Sequence, residues 1–313
     1  MSSVLVEGLP SPLGLPTLTP RFTLELSAPP LMRNVTLVAC ELQLRSAPSP
    51  AAPLLWASGM QPCARPLHLP GPPAGVLAVG QAYFVSARAL LTWTSSASPA
   101  TPTATPFSAP TRFSIGLLSR SDWGAGTAFI GLGSGSGSPL VECPWLTTTF
   151  HLSAHDLAAL RAGTASALLH VASVGYHEAT LNGQRLEADA VLLPSVTDLG
   201  RRVAARTYDA APALVEGGNA LGLWLAPGWA QFEGVNPVMS FNISRPTIAA
   251  AELRLPSATV TTNASWAART STTKHLGCVD QLEFWRGCCG LAGKCAGVGH
   301  ASGHKRHSWL GAR

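Results

Sequence analysis

The chain has 313 residues, of which 46% are hydrophobic and only 12% charged, with a formal net charge of +5. Arg286, Lys294, Lys305, Arg306 and Arg313 outnumber Asp280 and Glu283 near the C-terminus. The body before them is therefore close to neutral and carries no electrostatic footprint for nucleic acid. No apolar run reaches the roughly 18 residues of a membrane span, and 26 Pro with 30 Gly argue against long helices.

Residues 1–19 read as a Pro-punctuated N-terminal arm. The start, MSSVLVEGLPSPLGLP, has neither a basic n-region nor a long apolar core, so no signal peptide is expected. The compartment is left open, with cytoplasmic placement or non-classical export as the options for a chain without a clear signal peptide. Strands are expected over Arg21–Leu26, Asn34–Arg45, Tyr83–Trp93 and Arg112–Leu118, separated by Pro/Ala/Ser loops. This spacing suggests a fibronectin type III-like sandwich over residues 20–118. Cys40, Cys63 and Cys143 are scattered and odd in number, which does not suggest a disulfide framework. Asn34, Asn242 and Asn263 open glycosylation sequons. The Pro/Thr-rich stretch Ala97–Thr111 is a linker or a long loop. Gly131–Leu140 is a flexible loop that lacks the spacing of a phosphate cradle.

A second β unit is expected over residues 119–277. Ser153–Gly163 suits a short helix, with Ser153 as N-cap and Gly163 as stop. The segment Gly175–Leu186, GYHEATLNGQRL, alternates like a half-buried strand and turns at Asn182-Gly183. Its register sets Leu181 opposite Gln184 and Ala179 opposite Leu186. Tyr176, Glu178 and Thr180 then share the other face. Farther on, the chain reverses at Gly217-Gly218-Asn219 and runs out along Ala220–Leu225, with Leu221, Leu223 and Leu225 on one side.

These segments carry a resemblance. The strand, the Asn-Gly turn and the later GGNALGL resemble the jelly-roll sugar-binding modules of glycoside hydrolases. SDWGAGTAFIGL (Ser121–Leu132), with Phe129 where Trp is usual, is similar to the opening strand of bacterial-type α-L-rhamnosidases. LPSVTD (Leu193–Asp198), TYD and LAPGW (Leu225–Trp229) follow in that family's order, and Ala264–Gly277 is similar to its Asp-x-Ser-Trp segment. Upstream, Leu54–Met60, Ala82–Trp93 and Arg112–Leu118 resemble the fibronectin-like domain that begins many of these enzymes. The resemblance spans roughly residues 18–285.

The resemblance implies an all-β protein of two β-sandwich domains, the second a jelly-roll. It implies the N-terminal accessory region of an α-L-rhamnosidase, with a rhamnose-containing glycan as partner. The family's chemistry uses paired carboxylates in a later (α/α)6 barrel, and no acidic segment here resembles the barrel's motifs. The expectation is a non-catalytic region truncated before that barrel, with no catalytic residue in this chain. A fragment of a full rhamnosidase and an adhesion β-sandwich are the alternatives. The parallel breaks near Trp285, and residues 278–313 read as an irregular tail. A frameshift, a retained intron, an incomplete gene or a short isoform would each give one. Oligomeric state is left open.

A sugar module needs an aromatic platform and a few polar groups. Trp229, Tyr176, Trp123 and Gln231 are the candidates, while Trp224 reads as a core or junction residue. Some modules of this type hold calcium beside the Asn-Gly turn. Here Leu181 precedes Asn182 where a carboxylate would serve, and Asn236 and Glu233 are the remaining oxygen donors. No cofactor or metal site is therefore assigned. Cys288, Cys289, Cys295, His300, His304 and His307 match no zinc spacing. Glu178 and Glu187 read as exposed strand carboxylates rather than a catalytic pair.

Overall fold

The structure is a computed structural model that describes residues 2–27, 33–63, 69–94, 101–132, 143–233, 242–244 and 246–270. The tail from 278, most of the Gly-rich loop and Asn236 lie outside the described residues. Among the described residues no helix is long and apolar enough to cross a membrane.

The first unit is built on two long strands. They are β3 (Arg33–Arg45) and β6 (Ala82–Thr94), paired antiparallel along most of their length. Short strands complete this sheet: β4 (Leu54–Ala57), β5 (Gln61–Pro62), β7 (Thr103–Ala104) and β8 (Thr111–Ser114). A two-stranded ribbon of β1 (Ser2–Val6) and β2 (Phe22–Leu26) supplies the second layer. Thus part of the stretch read as an arm is a strand. Val4 and Val6 alternate inward and join Phe22, Leu24, Leu42, Leu44, Val85 and Phe113 in one core. Pairing of β3 with β5 also brings Cys63 beside Cys40, with Cα atoms 5.5 Å apart, and the two form a disulfide. The sequence reading had no disulfide here. The pairing of the two strands, rather than the cysteine spacing, makes the bond.

The second unit is a sandwich of two antiparallel sheets with its own core. One sheet has the order β13 (Ala205–Asp209), β10 (Leu168–Val174), β17 (Ile248–Arg254), β18 (Thr259–Thr261). The other runs β12 (Gln184–Arg185), β11 (Tyr176–Leu181), β14 (Gly217–Ala226), β9 (Pro144–Leu152), β19 (Ala267–Thr270). A small pair, β15 (Gln231–Glu233) and β16 (Asn242–Ser244), stands apart. The helix α1 (Ala154–Arg161) falls inside the expected range. The Ser153 hydroxyl accepts the Asp156 N–H at 3.1 Å, and Leu157 and Leu160 cover one end of the core.

Strands β11 and β10 show how burial follows sequence. In β11 the burial alternates, because only one face meets the core. In β10 nearly every residue is buried, because both faces are covered. Leu169 and Val171 face the sandwich core, whereas His170 faces the first unit together with Thr207 and Glu252, its cross-strand partners. The two units meet there. Arg112 pairs with Asp209, and Arg254 donates to the Val79 carbonyl at 3.2 Å and the Asp122 carbonyl at 2.7 Å.

The hairpin adopts the expected register, with Leu181 opposite Gln184 and the Leu186 N–H donating to Ala179 at 3.0 Å. Asn182 and Gly183 have φ of 52° and 78°, as a type I′ turn requires. Asn182 is also a tie. Its amide donates to the Ala213 carbonyl and to Asn219 Oδ1, and its oxygen accepts the Ala220 N–H at 2.9 Å. Replacing Gly183 by Val should cost about 1–3 kcal/mol through backbone strain alone. A Cβ there would meet no atom within 4 Å. A urea midpoint unchanged by Gly183→Val would show that the turn does not set the register.

Candidate functional site

A shallow, open cleft lies at the end of β11. Its walls are Tyr176, Ala230 and the loop from Pro194 to Leu199. The loop is pinned to the strand by the His177 N–H, which donates to the Leu193 carbonyl at 2.7 Å. Beneath the floor lies a closed network. Ser173 Oγ donates to the Gly175 carbonyl and lies 2.7 Å from His177 Nδ1, and His177 Nε2 lies 2.8 Å from the Tyr208 hydroxyl. Burial, and secondarily Arg206, pushes His177 down to about 3. Burial also raises the Tyr208 hydroxyl, with Glu187 as a further cause. A neutral imidazole can donate from Nδ1 and accept at Nε2, which satisfies all three side chains. The Ser–His–Tyr set is thus a buried brace under the cleft. It is not an activated nucleophile, because the serine proton is committed to a carbonyl.

Of the four expected sugar contacts, Tyr176 lines this cleft. The Tyr176 ring forms one wall, and it packs so closely on Gly228 that a Cβ there would come within 2.5 Å of it. Gly228 opens the single turn Gly228–Ala230 that carries Trp229 and leads directly into Gln231. The side chains of Trp229 and Gln231 lie outside the described residues. Trp123 is not part of this corner. It follows the turn Arg120–Asp122 at the junction of the two units, next to Gly124, whose N–H donates to Glu252 at 2.6 Å.

Glu178 and Glu187 are half-buried and ion-paired rather than exposed. Glu178 meets Arg185 at 3.0 Å, and Glu187 meets Arg206. Each carboxylate is held by a guanidinium, which is a structural arrangement. Calcium beside the turn would need oxygen donors, but Asn182 Oδ1 already accepts a backbone N–H. Among the described residues no three His, Cys, Asp or Glu side chains gather to hold a metal ion.

Sequence reasoning missed Trp145. It stands directly opposite Trp224 in the register of β9 and β14. The two rings lie 5.1 Å apart between centroids, tilted by 37°. Trp145 is 44% exposed, and neither indole belongs to the sandwich core. The alternation in PWLTTTFHL (Pro144–Leu152) is the one sequence signal that could have placed Trp145 on the outer face.

Residues 162–279 match the α-L-rhamnosidase N-terminal domain. Over that segment the chain is similar to α-L-rhamnosidase N-terminal domains. An α-L-rhamnosidase of Formosa agariphila is 27% identical over 234 residues, covering 71% of this chain and 23% of that protein. One from Streptomyces avermitilis is 43% identical over 63 residues, which is 20% of this chain and 6% of that protein. The fold matches the native rhamnosidase of Aspergillus terreus with a TM-score of 0.65 at 20% identity, over 86% of this chain and 30% of that one. The chain therefore spans under a third of the length of these relatives. It corresponds to their N-terminal β region, and the two-sandwich, all-β architecture agrees with that match.

Proposed function

We propose that this chain is the accessory β region of an α-L-rhamnosidase-type glycoside hydrolase, and that it holds a rhamnose-bearing glycan at the cleft beside Tyr176. The observation that carries this reading is the rhamnosidase-domain match over residues 162–279, because the cleft is lined largely from within that segment. The cleft is open to solvent along one side, which suits a terminal sugar presented at the surface. Tyr176 offers an aromatic face, and Ser195 and Thr197 offer hydroxyls at the rim. Trp229 and Gln231 are assigned as further contacts because their turn borders the same space. Hydrolysis is assigned to no side chain of this region, since Glu178 and Glu187 are closed in ion pairs.

The test is calorimetric titration of L-rhamnose and of a rhamnosyl glycoside into the 313-residue protein. Saturable binding is expected, and Ser195→Trp should abolish it by filling the cleft. Ser195 is exposed, so that variant should melt at the wild-type temperature. No binding to the wild-type protein, or undiminished binding to the variant, would sink the assignment.

A further inference from the structure

The outer face of the five-stranded sheet presents a second arrangement that the cleft does not use. Strand register places four residues side by side across it: Glu178 on β11, Trp224 on β14, Trp145 on β9 and Arg269 on β19. The next row along the strands is Arg185, Thr180, Gly222, Thr147 and Ala267. The alternate residues Leu146, Ala179, Leu221 and Leu223 point the other way into the core. The row therefore belongs to the solvent side, and the other sheet of the sandwich is the one that meets the first unit.

Two features make this row more than a stray pair of surface aromatics. First, a Cβ on Gly222 would lie 3.3 Å from the Trp145 indole nitrogen. The ring thus leans across the neighbouring strand over Gly222, which has no side chain to hold it off. With Trp224 beside it, it forms a continuous apolar strip across two strands. Second, the charges flanking the strip are unequal. Glu178 is neutralised by Arg185 at 3.0 Å, while Arg269 is exposed and makes no ion pair among the described residues. An uncommitted guanidinium beside an aromatic strip favours a ligand with apolar ring faces and a carboxylate, which the guanidinium can grip with two parallel hydrogen bonds.

We infer that the Trp224–Trp145–Arg269 row is a second glycan-binding platform, specific for an oligosaccharide that carries carboxylates. Pyranose rings stack on the indoles through their C–H faces, and a uronate carboxylate meets Arg269. A single-stranded nucleic acid would also stack on indoles. It needs a groove of several cations along its backbone, however, and among the described residues this row has one cation outside an ion pair. The platform shares no lining residue with the cleft, so it stands or falls independently of the rhamnose assignment.

The test uses the 313-residue protein, with tryptophan fluorescence and calorimetry as readouts. The probes are a galacturonate hexamer, its methyl-esterified counterpart and a dT hexanucleotide. The acidic hexamer should bind and quench the fluorescence. Trp145→Ala should weaken that binding by about tenfold or more, as expected for a central stacking aromatic. Arg269→Gln should reduce the affinity for the acid to that for the ester. Both residues are exposed, so wild-type melting temperatures are expected. Ser195→Trp, which blocks the cleft, should leave hexamer binding intact. The proposal is overturned if the acidic hexamer fails to bind, or if Trp145→Ala binds it normally. It is equally overturned if the ester binds as well as the acid, or if the oligonucleotide binds more tightly than either.

Discussion

Lowering the pH from 7 to 4 should remove several kcal/mol of folding stability, because two histidines are packed into this protein without their protons. Burial pushes His170 down to about 4, with Arg254 adding to the effect and Glu252 opposing it. Burial and then Arg206 push His177 down to about 3. In the unfolded chain both titrate near the ordinary 6.5. Between that value and the folded one the unfolded state binds more protons, so stability falls as pH falls. At about 1.4 kcal/mol per unit, each residue contributes roughly 3–5 kcal/mol. A domain's whole stability is about 5–15 kcal/mol, so acid unfolding near pH 4 is expected. Glu252 adds a later loss in the same direction. Burial alone would raise it, but the Gly124 N–H, Arg254 and Thr127 outweigh burial and hold it below its usual range. Urea midpoints at pH 7, 5.5 and 4 measure the slope. His170→Asn keeps a polar atom near Thr207, whose hydroxyl lies 2.9 Å from His170 Nδ1. Its curve should be flatter by about one proton. A wild-type stability that stays level from pH 6.5 to 4 would refute the account.

What the sequence disclosed was local. The hairpin at Asn182-Gly183 was legible because its alternation, its turn and its register are all written within twelve residues. The helix α1 was legible from its Ser153 cap. The pairing of Glu178 with Arg185 could have been read as well, since the hairpin register sets Arg185 opposite Thr180 on the same face. What stayed hidden depends on pairings across long sequence separations. Strand β1 has an ordinary composition, and only its pairing with β2 pulls Val4 and Val6 inward. Cys40 meets Cys63 through the β3–β5 ladder. Trp145 becomes a platform only because β14, more than seventy residues later, sets Trp224 beside it and Gly222 beneath it. The candidate site was half legible for the same reason. Tyr176 and the turn bearing Trp229 were chosen as aromatics near strand ends, whereas the Pro194–Leu199 wall is brought to them by tertiary contact.

Arg254→Met should destabilise the protein by about 3 kcal/mol or more, the scale for breaking a buried ion pair on one side. Glu252 is only 2% exposed, so its charge depends on the groups around it. Arg254 Nε donates to it at 2.7 Å, Thr127 Oγ1 at 3.0 Å and the Gly124 N–H at 2.6 Å. Removing the guanidinium leaves that carboxylate buried with neutral donors only. The same substitution cuts two further bonds: one to the Val79 carbonyl, which ties the second sandwich to the first unit, and one to the Asp122 carbonyl in the turn at their junction. The Arg254 side chain is 24% exposed, so solvent screening holds the expected cost to the lower end of the range for buried pairs. Methionine preserves most of the stem's packing, which confines the loss to charge and hydrogen bonds. The coupling is read from a double-mutant cycle. Glu252→Gln on its own should also destabilise, because an amide cannot accept from every donor that faces it. The double variant should be more stable than the sum of the two single costs predicts, by about 1–3 kcal/mol. Additive costs would mean that the two side chains act separately, and that the junction is held by shape rather than by this pair.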